Sequence, residues 1–174
     1  MSARPPADRL YSYADISVAL DRMAVAINAR CAQGEWLVLC VMQGGLVMTG
    51  ELLRRFDFAL KLDHLQVSRY AETTQGSTLE WHFKPRTPLQ GRQILILDDI
   101  FDEGVTLATL IDYCHEAGVQ AVLAAVLVAK EHTRKQTDYQ PDFVGLRCPD
   151  RYIFGFGMDY QGYCRNSSDI FAVN

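Results

Sequence analysis

The sequence has no apolar run long enough to cross a membrane. Its longest largely apolar stretch, residues 119–129, includes Gln120 and falls well short of the roughly 20 residues a spanning helix needs. The opening segment, MSARPPADRL, lacks the apolar core of a secretory signal, so a cytoplasmic protein is expected. No block of five consecutive basic residues occurs, and 17 Lys+Arg against 21 Asp+Glu leave a net charge of −4. That balance speaks against nucleic-acid binding. The most basic stretch, KEHTRK (residues 130–135), is interrupted by Glu131 and reads as a loop after a strand. The five cysteines, Cys31, Cys40, Cys114, Cys148 and Cys164, are odd in number and show no CxxC spacing, which disfavours zinc and a disulfide framework and leaves buried thiols. The four histidines, His64, His82, His115 and His132, also lack metal-ligand spacing and read as structural or solvated. There is no GxxxxGK[ST] and no helix-opening GxGxxG, so nucleoside triphosphate hydrolysis and dinucleotide binding are disfavoured.

What is present is concentrated in ILILDDIFDEGVTL, where Asp98, Asp99, Asp102 and Glu103 crowd into six residues. Residues 94–97 are all apolar and predict a strand covered on both faces, because a half-exposed strand would alternate. Downstream, Leu107, Leu110, Ile111 and Cys114 keep helical spacing, and Gly118 is placed to end the helix. The acids therefore join a buried strand to a helix N-terminus, the position where open α/β sheets bind ligands. In DEGVT, Gly104 lets the chain curl so that successive N–H groups and the Thr106 hydroxyl can cradle a phosphate. Carboxylates beside an anion site suit a bridging divalent metal or sugar hydroxyls. A solvated turn whose acids only favour the helix dipole is the plainer alternative.

At 174 residues the chain suits one domain. Ile16, Leu20, Met23, Ala24, Ile27 and Cys31 predict a first helix stopped by Gly34. WLVLCVM (residues 36–42) is a buried strand with QGG as its exit loop, and a helix-like pattern follows over residues 46–56. FALKLDHLQVSRY and LEWHF read as strands around the polar AETTQGST, a long mobile hairpin arm or lid. AVLAAVLVA (residues 121–129) is another buried strand. The alternation implies α/β architecture with a mostly parallel central sheet flanked by helices. After Pro141, FVGLRC, YIFGFGMD and IFAV predict a small β-rich flap.

Two acids after an aliphatic strand, followed by D-x-G-x-T at a helix start, closely resemble the phosphoribosyl-pyrophosphate motif of type I phosphoribosyltransferases. Three further stretches narrow the resemblance to the hypoxanthine-guanine phosphoribosyltransferases. CVMQGGLVMTGELLRR (residues 40–55) is similar to their pyrophosphate loop and following helix. SRY (residues 68–70) looks like the root of their mobile catalytic loop. QPDFVGLRCPDRYIFGFGMDYQGYCR (residues 140–165) approaches their KPDFVG, PDR-aromatic, MDY and YCR pattern. The four motifs occur in the expected order and span nearly the whole chain.

The resemblance implies a single domain over residues 1–174. Its core would cover about 36–140, and a hood would form from the N-terminal segment and residues 141–174. It implies Mg²⁺-dependent transfer of a 5-phosphoribosyl group from phosphoribosyl pyrophosphate to N9 of hypoxanthine or guanine, a purine salvage step, in a homodimer or homotetramer. On the matching positions, Asp98 and Asp99 would hold the ribose hydroxyls directly or through Mg²⁺. Asp102 would act as general base at purine N7, and Glu103, Gly104, Val105 and Thr106 would wrap the 5′-phosphate. Gln43 and Gly44 would meet the pyrophosphate through their backbone, often past a non-proline cis peptide after Met42, and Arg165 would add charge there. Lys130 would donate to the purine O6 and Tyr152 would stack on the base. Ile153 would read the base edge through its main chain, Met158 would border the base, and Asp159, also placed at the purine, would hold a second Mg²⁺. Arg69 and Tyr70 would belong to the catalytic loop, which closes over the substrates. The chain departs from many members at Gln43, often basic; at Arg69, often serine; and at Glu103, commonly threonine or serine. A carboxylate facing a phosphate is repulsive, so the Glu103 side chain is expected to turn away and leave only its N–H. A function of another class, a phosphoribosyltransferase-like fold serving as a ligand-sensing regulator of RNA or DNA, should show a basic face, whereas this chain is acidic overall.

Overall fold

The computed structural model describes residues 5–69 and 79–174, with the side chains of Arg69 and Leu79 left out. The continuous apolar runs arise because the central sheet is covered twice. In β2 (Trp36–Met42), Trp36 and Val38 face one core while Leu37, Leu39 and Val41 face another. In β5 (Gln93–Phe101), Leu95 and Leu97 face the first core, and Ile94 and Ile96 the second. The first core receives Ile16, Leu20 and Ile27 of α1 (Tyr13–Cys31) and Met48 and Leu52 of α2 (Gly45–Leu53). The second receives Leu107, Leu110, Ile111 and Cys114 of α3 (Val105–Glu116). Full burial of each such side chain contributes about 1.5–3 kcal/mol.

With β3 (Leu60–Arg69), β4 (Leu79–Phe83), β6 (Ala121–Glu131) and β7 (Phe143–Pro149), the sheet order is β4-β3-β2-β5-β6-β7. Every pairing is parallel except β3 with β4. From β2 the chain crosses through α2 to β3 on one side, whereas β5 leads through α3 to β6 on the other. The carboxyl ends of β2 and β5 therefore flank a topological switch point, where strand order reverses and a crevice opens. Among the described residues no helix is long and apolar enough to cross a membrane.

Three boundaries differ from expectation. The strand carrying the acids continues past Leu97, with Asp98, Ile100 and Phe101 paired to Val126, Val128 and Ala129, so Asp98 and Asp99 lie within β5. Lys130 and Glu131 likewise extend β6, because β7 supplies partners in Cys148 and Pro149. Residues 143–149 then belong to the central sheet and not to a flap. Gly145 permits this, since a Cβ there would stand 2.7 Å from both the Leu127 carbonyl oxygen and the Met23 sulfur. The hood is thus smaller than expected: β1 (Ala7–Tyr11), β8 (Ile153–Phe154) and β9 (Ile170–Val173) in the order β1-β9-β8. Gly155 and Gly157, at φ of 98° and 100°, turn the chain out of β8 after two residues. Tyr70 and the expected lid, residues 71–78, lie outside the described residues. All five cysteines are free, and all but Cys164 are buried.

Candidate active site

Two connected hollows open at the switch point. The larger, about 350 Å³, is lined by Gln43 and Gly44 from the exit of β2, by Asp98, Asp99 and Asp102, by Gly104 and Thr106, and by Asp159 and Arg165 of the hood. The smaller, about 200 Å³, is lined by Lys130, Tyr152, Ile153 and Met158, and shares Asp99, Ile100, Asp102 and Asp159 with the first. One wall of the site is thus strand ends and the other is hood. The structure brings together the sequence-predicted positions on described side chains, save that Glu103 and Val105 are outside both linings. Val105 opens α3.

At the acid pair, Asp98 Oδ1 accepts the Asp99 N–H at 2.9 Å. Burial first, and the neighbouring Asp99 second, push the Asp98 carboxyl well above the usual carboxylate range. Burial also raises Asp99, against opposing contributions from Asp98 and Arg165. A buried and a partly buried carboxylate that repel each other form a hard, all-oxygen donor set, which fits a divalent cation such as Mg²⁺. The exit of β2 is packed directly on them: a Cβ on Gly44 would fall 1.7 Å from Asp99 Oδ2. The Met42–Gln43 peptide there is cis. A raised folded-state pKa lowers stability as pH climbs through it. Asp98→Asn, which keeps the acceptor for the Asp99 N–H, is therefore expected to raise Tm at pH 7 by about 2–4 °C for each kcal/mol that burying the charge, and secondarily its repulsion by Asp99, costs the folded state. The gain should vanish in acid, and calorimetry at both pH values checks it.

At the helix entrance, Gly104 adopts φ 89° and α3 has no side-chain cap among the described residues, so the N–H groups of its first turn are left without a side-chain acceptor, and Gly104, Thr106 and Leu107 line the larger hollow. A Cβ on Gly104 would meet Thr137 Cγ2 at 2.4 Å, so the chain after β6 presses closely on this loop. Glu103 turns away from the hollow, as expected: Arg134 Nη1 donates to its Oε1 at 2.8 Å while Nη2 bonds Asp150 at 2.7 Å.

Asp102 has more partners than the sequence suggested. Lys130 Nζ donates to Oδ2 at 2.8 Å, and His132 Nε2 lies 2.7 Å from Oδ1. Lys135 Nζ donates to the main-chain oxygens of Asp102, Phe101 and Lys130. Burial acts against the Asp102 anion, but Lys130 and His132 outweigh it and hold the carboxyl below its usual range. His132, whose side chain is only 5% exposed, was not legible as a site residue because it has no metal-ligand spacing to any other histidine or cysteine. The usable signal was its place two residues beyond Lys130, past the end of a strand parallel to the one bearing Asp102. His64, by contrast, is structural and stacks on Phe83 at 4.4 Å. Ligand atoms of Asp102, His132 and Asp150 lie within 4.8 Å of one another. Lys130 and Arg134 already neutralise those oxygens, which makes this cluster a poor cation site.

In the hood, Arg165 donates to Asp159 Oδ1 and to the Gly157 carbonyl at 2.8 and 2.7 Å, and Asp159 Oδ2 accepts the Gly162 N–H at 2.8 Å. Arg165 is thereby held at the rim of the larger hollow. Tyr152, half exposed, donates to the Asp159 carbonyl and packs edge-on against Tyr160.

The chain matches the phosphoribosyl transferase domain family over residues 6–161. It is 34% identical over 131 residues to the hypoxanthine-guanine phosphoribosyltransferase of Bacillus subtilis (strain 168), covering 75% of this chain and 72% of that protein. With the protein of the same name from Aquifex aeolicus (strain VF5) it is 28% identical over 161 residues, covering 91% and 90%. A solved hypoxanthine-guanine phosphoribosyltransferase from Bacillus anthracis shares the fold, with a TM-score of 0.91 over 98% of this chain and 100% of that one at 24% identity.

Proposed function

The chain belongs to the phosphoribosyl transferase domain family, and from that premise we propose that it transfers the 5-phosphoribosyl group of phosphoribosyl pyrophosphate to N9 of hypoxanthine or guanine. The products are IMP or GMP and pyrophosphate. The observation that carries this reading is the two-part hollow, with an acid pair and an uncapped helix entrance in one part and the Lys130–Asp102 pair in the other.

In this reading the N–H groups of residues 103–106 and the Thr106 hydroxyl hold the 5′-phosphate, and Glu103 is kept from repelling it by Arg134. Asp98 and Asp99 would hold the ribose hydroxyls and serve as ligands for Mg²⁺, and Asp159 of the hood would be the carboxylate for a second ion. An ion held by these carboxylates would supply positive charge to offset the negative charge developing on the departing pyrophosphate. Gln43 and Gly44 offer backbone groups to that anion, and Arg165 adds a fixed cation. The purine lies between Tyr152 and Ile100, edged by Ile153 and Met158. Lys130 donates to O6, and in doing so lets go of Asp102 Oδ2. The carboxylate loses a neutralising partner as the base arrives, so its basicity rises where N7–H must be received. The C1′–O bond to pyrophosphate breaks, the C1′–N9 bond forms, and the N7 proton passes to Asp102. The roles of Arg69 and Tyr70 in closing the site belong to the same reading.

Self-association as a dimer or tetramer is supported by Leu46 and Leu62, half exposed beside an apolar hollow of about 340 Å³ between α2 and β3. A cytoplasmic setting also belongs to this reading. The test is pyrophosphate release from phosphoribosyl pyrophosphate with hypoxanthine or guanine, before and after chelation. Release that stops with chelator and returns with added Mg²⁺ is expected. Release that persists unchanged without divalent cation removes the acid pair from its assigned role.

A further inference from the structure

We propose that His132 is a positioning residue that fixes Asp102 by one oxygen so that the other can receive the purine proton, an inference that rests on the reaction proposed above. The geometry assigns the imidazole tautomer. The Arg134 backbone N–H points at His132 Nδ1 from 3.0 Å, so Nδ1 is an acceptor and the ring proton sits on Nε2. Nε2–H then donates to Asp102 Oδ1 at 2.7 Å. A backbone N–H is a donor in every protonation state, which makes this assignment independent of the carboxylate.

The two oxygens of Asp102 therefore have unlike partners. Oδ2 is held by Lys130, whose ammonium sits on a flexible stem and lines the smaller hollow, where it can exchange the carboxylate for a ligand oxygen. Oδ1 is held by a nearly buried ring anchored to the main chain, with no ligand-facing role, since His132 lines neither hollow. When Lys130 turns to the purine, His132 remains as the fixed donor that keeps the carboxylate in register. Without it, Asp102 is free to rotate or to follow Arg134, whose Nη2 stands 3.6 Å from Oδ1. A base displaced by about 1 Å loses on the order of a hundredfold in rate.

Two variants of similar polarity separate positioning from packing. His132→Asn places an amide near Nδ1 and can keep the Arg134 bond, but is too short to reach Asp102. His132→Gln extends an N–H toward Oδ1. In single-turnover measurements with saturating substrates, the Asn variant is expected to slow transfer by about ten- to a hundredfold with phosphoribosyl pyrophosphate binding changed less than about twofold, and the Gln variant to recover most of the loss. Nitrogen-15 spectra of the wild-type imidazole are expected to show the Nε2–H tautomer. An Asn variant as fast as wild type, equal losses in both variants, or an Nδ1–H tautomer overturns the proposal. A wild-type chain that makes no nucleotide strikes the reaction itself and takes the inference with it, an outcome distinct from an active wild type with an indifferent Asn variant.

Discussion

Asp102→Asn is expected to slow the chemical step by roughly 10²–10⁴ with little change in phosphoribosyl pyrophosphate binding. The substitution keeps the size and one acceptor oxygen, but removes the charge held between Lys130 and His132 and the capacity to take the N7 proton. The loss therefore falls on the transition state. Folding is expected to survive, since the side chain is about a third exposed and the loop keeps its main-chain bonds to Lys135 and Gln136. What stability the carboxylate contributes has a defined pH window. Its folded-state pKa is held below the ordinary 3.8, so the contribution is complete above that pH and is lost as pH falls through the folded value. Wild type and variant should accordingly converge in stability in strong acid. A carboxylate that only complements the helix dipole predicts a loss under about 1 kcal/mol and nearly normal turnover. Single-turnover kinetics decides, with Asp98→Asn as the comparison that should weaken substrate and Mg²⁺ binding instead. A chemical step slowed less than about tenfold removes Asp102 from the role of general base.

Adenine is expected to be used at least about a hundredfold less efficiently than hypoxanthine. In the proposed reaction Lys130, whose side chain is only 10% exposed, presents its ammonium to the purine 6-position. Hypoxanthine and guanine answer it with a carbonyl oxygen, whereas adenine presents an amino donor. Two opposed donors in a partly buried hollow each lose a partner, at a cost of about 1–3 kcal/mol per unmatched group. Adenine also gives Lys130 no reason to release Asp102 Oδ2, so the base stays neutralised. The penalty therefore enters the transition state as well as binding, and should lower both terms of kcat/KM. Hypoxanthine and guanine share O6, which leaves this residue unable to separate them.

The sequence was most readable where one physical demand dominates. β2 was legible residue for residue because a strand buried on both faces must be apolar throughout, and α3 because its four core positions and Gly118 leave few alternatives. It was least readable where pairing overrides side-chain character. Asp98 and Asp99 look like a loop, yet Val126 and Val128 of β6 keep that stretch extended. β7 looked like part of a flap because it is one of a run of short strands after Pro141, and only its parallel partner β6 reveals which sheet it joins. In the site, the phosphate turn, the acid pair and the hood positions were marked by local motifs. His132 and Arg134 were not, because their partners Asp102 and Glu103 stand 30 and 31 residues away and meet them only when β5 and β6 end side by side. The charge at Glu103, awkward when read alone, is explained by that pairing.

The most direct measurement is a competition. Hypoxanthine, guanine, xanthine, adenine and uracil at equal concentration are offered to the protein with phosphoribosyl pyrophosphate and Mg²⁺, and the nucleotides formed are separated and quantified. IMP and GMP should appear with matching release of pyrophosphate, with AMP at or below about 1% of their sum, in keeping with a discrimination of a hundredfold or more. AMP at a rate comparable to IMP, or UMP as the main product, would contradict the assignment of Lys130 and Asp102 to a 6-oxopurine.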